Sequence, residues 1–418
     1  MLAVRNGPRT WLVYIAIIVG SAACAPAAAP DVDSVASRYI QLTRELARHD
    51  RSLVDHWLRE PPPLSGPRRP VADLKAALGA LSADVSRAAA GASGQDRDRA
   101  AHLTRQVDAL LLVARRLLGE SPSFDEEARL GLGLAPVPLD AAAIERARTA
   151  LDREVPGQGP LADRVAGFRR RFAVPDDARE AVMRAALDQC RAATREALPL
   201  PDSESIAVAF VDGLPWDAYA RYLGAHRTRI DINGSEPLDL ARALRLACHE
   251  GYAGHHAQYI WLDDEVIGRR RWTEFALVPG FGPDLLVSEG TAEAGAALAM
   301  PAARRLAVYR EHLAPVAGLE TTDLDRLVRV EELLAAIEPI IGDIAREYLD
   351  NHINTAGAVR RLADEALVVD AESFVTFIER RRTRLLAYAE GRRRALARGD
   401  GSGLASLRSL LVTGLGPP

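Results

Sequence analysis

The chain is almost without lysine: of its 53 basic residues only Lys75 is lysine, and the rest are arginine. So uniform a skew follows the base composition of a genome, and a single arginine therefore carries little weight as a functional signal. Basic blocks are missing too, and the formal net charge is -4 over 418 residues, which argues against nucleic acid as a partner. Cysteine occurs only as Cys24, Cys190 and Cys248, which excludes a disulfide framework and allows one bridge at most. Cys190 and Cys248 are expected to be unbridged, buried small residues. No apolar run is long enough for a comfortable membrane-spanning helix; the nearest, Trp11 to Ala23, follows Arg5 and Arg9 and suits a signal-peptide core.

That run ends in Ser21-Ala22-Ala23-Cys24, which is similar to the bacterial lipoprotein cleavage box, with Ser where Leu is usual. The expectation is an exported protein: residues 1–23 a leader, Cys24 the acceptor of a lipid that anchors the chain to the membrane, and 24–33 an Ala/Pro-rich spacer. Simple secretion is the alternative, since small residues at 21 and 23 suit an ordinary signal peptidase.

What the chain has in quantity is helical pattern. Segments such as "SVASRYIQLTRELARHDRSLVDHWLRE", "ADLKAALGALSADVSRAAAG" and "DRDRAAHLTRQVDALLLVARRLLGE" carry apolar residues three and four apart between charged ones. Short Pro/Gly breaks separate them. Two stretches depart from the pattern, "SIAVAFVDG" (205–213) and "HRTRIDING" (226–234), and read as strands of a small hairpin-like sheet with "GLPWDAY" between them. The predicted fold is mainly α: a single mostly helical domain over 34–418, with an N-terminal helical lobe at about 34–200, a catalytic lobe at about 201–395, and a small β element beside the ligand helix.

The chemistry concentrates in "ACHEGYAGHHAQ" (247–258), where His249, Glu250, His255 and His256 crowd together. Histidine is the commonest metal ligand, and a carboxylate next to one can serve as general base on a metal-activated water. Zinc sites on one helix usually take His at i and i+4, but here i+4 is Ala253. On an unbroken helix the seven residues from His249 to His256 would rise about 10 Å, too far for one ion. A bulge or break at Gly254 would fold the chain back, and spacing leaves open whether His255 or His256 then ligates. The best further ligands lie in "GPDLLVSEGTAEAGAALAM", where Asp284 is expected to cap a helix carrying Glu289 and Glu293 on one face. One carboxylate would bind metal while the other orients a ligand histidine.

"HEGYAGHHAQ" resembles the His-Glu-x-x-Pro-Gly-His-His signature of the bacterial family called domain of unknown function 885, and "SEGTAEAG" is similar to its downstream Glu-Gly-Trp-Ala-Glu stretch. The resemblance runs over about 205–395. The family's Pro is Ala253 here and its Trp is Thr291. Members are mostly helical, often exported, and similar to zinc peptidases of the gluzincin type. The resemblance implies one Zn2+ per chain, held by His249, by His255 or His256, and by Glu289, with Glu250 as general base and Glu293 behind the ligands.

Tyr388 is the candidate donor to a developing oxyanion, with Tyr252 second. The Arg380–Arg384 run reads as a solvated face more than as a substrate-carboxylate site, and His49, His56, His102 and His312 as surface or packing residues. An extended peptide is expected to add to the edge of the 226–234 strand. The expected function is that of an exported zinc metallopeptidase acting on a peptide or other small amide. The alternatives are a hydrolase of a non-peptide amide or ester, and a non-enzymatic envelope lipoprotein.

Overall fold

The computed structural model describes residues 30–136, 138–214, 216–399 and 403–415. The leader and Cys24 lie outside them. In chain order the elements are α1 (Val32–Ala47), β1 (Val54–Trp57), α2 (Val71–Gly91), α3 (Gly94–Leu117), α4 (Phe124–Leu132), α5 (Ala141–Glu154), α6 (Leu161–Arg170) and α7 (Arg179–Ala197). Then come β2 (Ser205–Val211), β3 (Ala218–Tyr222), β4 (Arg227–Asn233), α8 (Leu240–Leu246), α9 (His255–Trp261), β5 (Leu277–Pro279) and α10 (Gly282–Ala299). The chain closes with α11 (Ala302–Val308), α12 (Ala314–Ala317), α13 (Leu324–Ile337), α14 (Ile340–Leu349), α15 (Thr355–Asp364), α16 (Ala371–Arg381), α17 (Leu386–Arg398) and α18 (Leu404–Thr413). The fold is mainly α, and none of the described helices is long and apolar enough to cross a membrane.

Helix starts follow capping chemistry. Asp31, Ser123, Asp140, Asp239, Asn354 and Asp370 each accept a hydrogen bond from a backbone N–H in the first turn that follows. Inner faces follow the apolar stripe: α2 buries Leu74, Leu78, Leu81 and Val85, spaced four, three and four apart. Truncating one such leucine to alanine costs roughly 2–5 kcal/mol. Buried apolar side chains form two clusters. One joins α1, α2 and α3 to Leu277 and Phe281; the larger runs from Leu58 to Leu415 and contains the ligand segments.

Four expectations need correction, the last of them the unbridged state of Cys190 and Cys248. The 205–211 and 227–233 strands are not a hairpin: β4 lies between β2, parallel to it, and β3, antiparallel to it. β3 comes from the "GLPWDAY" side of the loop, and it is β3 that forms the hairpin with β4. With both its sides paired, β4 offers no edge to a peptide; the free edge nearest the site belongs to β3. Asp284 does not cap α10, whose N-cap is Phe281; its carboxylate instead lies 3.4 Å from His102 Nε2.

Cys190 and Cys248 are bridged, with Cα atoms 5.3 Å apart, because the inner face of α7 packs on the turn after α8. Closing that 58-residue separation stabilises by about 4 kcal/mol in a chain-entropy model. The bridge also tethers the residue before His249.

Candidate metal centre

α8 runs from β4 toward the core and widens into a π-helical turn over Ala247–Gly251, so the backbone under His249 and Glu250 is not ordinary α-helix. The chain then reverses. Ala253 takes φ 72°, a value closed to proline, and α9 begins at His255. At Gly254 a side chain would overlap the His249 carbonyl oxygen, so only glycine permits this return. The reversal stacks what a continuous helix would separate: the His249 and His255 rings lie 4.8 Å apart, edge to face.

α10 brings the acids. It crosses α17 with Gly290 against Gly391, where a Cβ on Gly290 would sit 2.5 Å from the Gly391 carbonyl carbon. That close approach places Tyr388 near Glu289. His249 Nε2 lies 3.2 Å and His255 Nε2 3.5 Å from the same atom, Glu289 Oε2. The three donor atoms fall within 4.8 Å of one another. Zinc bonded tetrahedrally at about 2.0–2.2 Å sets neighbouring donors roughly 3.3–3.5 Å apart, which these carboxylate–imidazole spacings match.

The far sides of the rings are held as well. Gln258 Oε1 lies 3.1 Å from His255 Nδ1, while the Gln258 amide donates to Ser288 O and Thr291 Oγ1. This orients Nε2 inward with its lone pair free. His249 Nδ1 lies 3.1 Å from Glu293 Oε1 but off the line of a hydrogen bond. Glu289 Oε2 and His249 Nδ1 are thus buried and have no aligned partner among the described residues. A buried carboxylate oxygen aimed at two imidazole nitrogens and bonded to neither fits a cation between them.

Electrostatics agree. Burial favours neutral His249, yet Glu293 and Glu289 outweigh it and raise the imidazole well above its usual range. His255 is raised against burial by Glu289. Against its own burial, Glu289 is held well below the carboxylate range by His255 and His249, and Glu293 is lowered to about 2 by His249. The site therefore attracts positive charge.

His256, the other candidate ligand, belongs elsewhere. It faces Thr228 Oγ1 at 2.7 Å and Glu204 Oε2 at 3.2 Å, on β4 and just before β2. Glu204 also accepts from Tyr252 Oη at 2.5 Å and Arg191 Nε at 2.5 Å. Successive helical residues point about 100° apart, so when His255 faces α10, His256 faces the sheet. Tyr252, aimed at Glu204, is removed as an oxyanion donor.

The centre opens on a cavity of about 1080 Å³, lined by His249, Glu250, His255, Glu289, Glu293 and Tyr388 among others. The Glu250 carboxylate makes no hydrogen bond or ion pair to a described residue, and burial pushes it up, only partly offset by His249 and His255. The Tyr388 ring lies 6.3 Å from that of His249. Sequence reasoning missed Glu204, Gln258, Asp55 and Tyr219. Gln258, three residues after His255, was legible as a helix neighbour; the others come from distant segments. His56 donates to or accepts from Tyr219 Oη at 2.7 Å and packs on Tyr259. His102 is buried against Phe275, His49 faces the Arg69 carbonyl, and His312 is exposed.

No protein-family model matches the chain, and no curated protein matches it. Among solved structures it is similar to the "putative lipoprotein from Colwellia psychrerythraea", at 14% identity and a TM-score of 0.50, over 91% of this chain and 69% of that one. It is also similar to the protein whose structure is described as BsuCP, at 12% identity and a TM-score of 0.44, over 91% of this chain and 88% of that one. At these identities the first likeness shows a shared fold and the second carries no argument.

Proposed function

We propose that the chain is an exported zinc-dependent hydrolase that cleaves peptide bonds. One observation carries the reading: the convergence of His249 Nε2 and His255 Nε2 on the unpartnered Glu289 Oε2, beside an unpaired Glu250 in a large cavity. His249, His255 and Glu289 would hold the ion, which when bound supplies Lewis-acid activation of water and of a carbonyl. Glu250 would take the proton of the attacking water and pass it to the leaving amine. Glu293 and Gln258 keep the two imidazoles in orientation. Tyr388 donates to the oxygen that gains charge. An extended substrate pairs with the free edge of β3, whose residues line the cavity.

A second reading is a helical envelope lipoprotein whose metal is structural or absent. The likeness to the Colwellia putative lipoprotein favours it, and lipidation at Cys24 is common to both readings. Zinc content by mass spectrometry and cleavage of a peptide library, on wild type and Glu250→Gln, separate the two. One zinc per chain in both proteins, with cleavage lost only in the variant, is the expected result. No cleavage by zinc-loaded wild type would leave the second reading.

A further inference from the structure

Of the charged side chains that line the cavity outside the metal centre, Asp55, Arg51, Arg221 and Arg381 make no ion pair to a described residue. In β1, Val54 pairs with Pro279 and His56 with Val278, so Asp55 is the extra residue of a bulge. Bulges re-aim side chains and recur beside active sites. Asp55 lines the cavity, makes no hydrogen bond or ion pair, and has room because residue 280 is glycine: a Cβ there would lie 3.1 Å from Asp55 Oδ1. Although open to the cavity it is surrounded by protein, and burial pushes it up to about 6.

Among the unpaired arginines Arg51 and Arg221 are exposed, whereas Arg381 is half-buried. The Arg380–Arg384 run divides by environment: Arg380 is exposed, Arg382 pairs with Glu127 at 2.8 Å, and Arg384 donates to Ser52 O at 3.2 Å. Arg381 alone of the run lines the cavity, its guanidinium 5.8 Å from the centre of the Phe377 ring. By contrast, Arg346, Arg392 and Arg393 of the same wall are held by Asp125, Glu338 and Glu390, and Arg245 by Asp217. Beside burial, Arg381, Arg384 and His255 act to lower the Asp55 carboxyl and Glu289 to raise it.

A carboxylate and a guanidinium that line one cavity and make no ion pair are free to take the opposite charges of a ligand. A short peptide carries the complementary charges, an ammonium at one end and a carboxylate at the other. We propose that Asp55 holds the ammonium and Arg381 the carboxylate of a short peptide with both ends free, so that the substrates are dipeptides and tripeptides rather than internal segments of long chains. This rests on the hydrolase reading above.

The test uses trialanine, N-acetyl-trialanine and trialanine amide, titrated calorimetrically into zinc-loaded Glu250→Gln protein and its metal-free form. In both forms, blocking either end should weaken binding by roughly 10–150-fold, the worth of a charge-assisted hydrogen bond. Added to Glu250→Gln, Asp55→Asn should weaken the free and amidated peptides by that factor and leave the acetylated one unchanged. Arg381→Met should do the same for the amidated peptide's missing charge, weakening free and acetylated peptides only, while Arg381→Lys retains the preference. Equal binding of free and blocked peptides, or equal loss for all three in Asp55→Asn, overturns the proposal. If free trialanine binds with this selectivity and zinc-loaded wild type does not cleave it, the hydrolase reading fails and the clamp stands. If blocked peptides are cleaved as fast as free ones, the clamp fails and the hydrolase reading stands.

Discussion

His255 and His256 are consecutive and both buried, yet they sit in environments with opposite hydrogen-bond accounts. His256 lies in a closed network: Thr228 and Glu204 take its two nitrogens, and Glu204 is further satisfied by Tyr252 and Arg191. His255 shares a carboxylate oxygen with His249 that neither imidazole satisfies, on the wall of a cavity. A closed network holds the fold together. An open one, at the same depth, leaves a carboxylate oxygen that a bound cation can take up.

The largest effect that sharpens this contrast is on turnover. Glu250→Gln should lower kcat by roughly 10²–10⁴-fold with zinc content unchanged, as measured by steady-state kinetics beside metal analysis. Unchanged kcat would remove Glu250 from the chemistry.

On the closed side, Glu204→Ala leaves Arg191, His256 and Tyr252 without their acceptor and should cost about 3–5 kcal/mol in urea unfolding, while folded protein still binds zinc. The same carboxylate sets a pH dependence. Burial would raise its pKa, but His256, Tyr252 and Arg191 lower it to about 2. Its stabilisation is therefore present above about pH 4.3, the unfolded value, and is lost as pH falls through about 2. Glu204→Gln should flatten that acid limb; an unchanged limb would show that Glu204 is not the group titrating.

On the open side, zinc should stabilise the metal-free protein by about 2.7 kcal/mol at a free concentration of 100 Kd. Differential scanning calorimetry would show the shift in wild type and its reversal by chelator.

A smaller effect tests a third polar site. Asp284, beside His102, is pushed up to about 7 chiefly by burial. A carboxyl raised in the folded state stabilises fully below its unfolded value and loses that contribution as pH rises through about 7. Asp284→Asn should therefore raise Tm at pH 8, by on the order of 2 kcal/mol of stability after allowance for its partial exposure, and change little at pH 4.

The helices were legible because their stripes are local: Leu74, Leu78 and Leu81 need only their own spacing to declare an inner face. His249, Glu250 and Glu289 were legible because buried acids and imidazoles in apolar segments demand partners. The choice between His255 and His256 was not, since it depends on the π-helical turn and on Gly254 lying against the His249 carbonyl. Nor was the order of the sheet, which is decided by non-local pairing of Ser205–Val211 with Arg227–Asn233. The Cys190–Cys248 bridge and the bulge at Asp55 likewise require knowing which distant segments meet.

The most direct test is zinc content per folded chain in His255→Ala and His256→Ala, purified identically and measured by mass spectrometry. One zinc in His256→Ala and none in His255→Ala is the expected result. Zinc retained in His255→Ala and lost from folded His256→Ala would contradict the assignment of the open site as the metal centre.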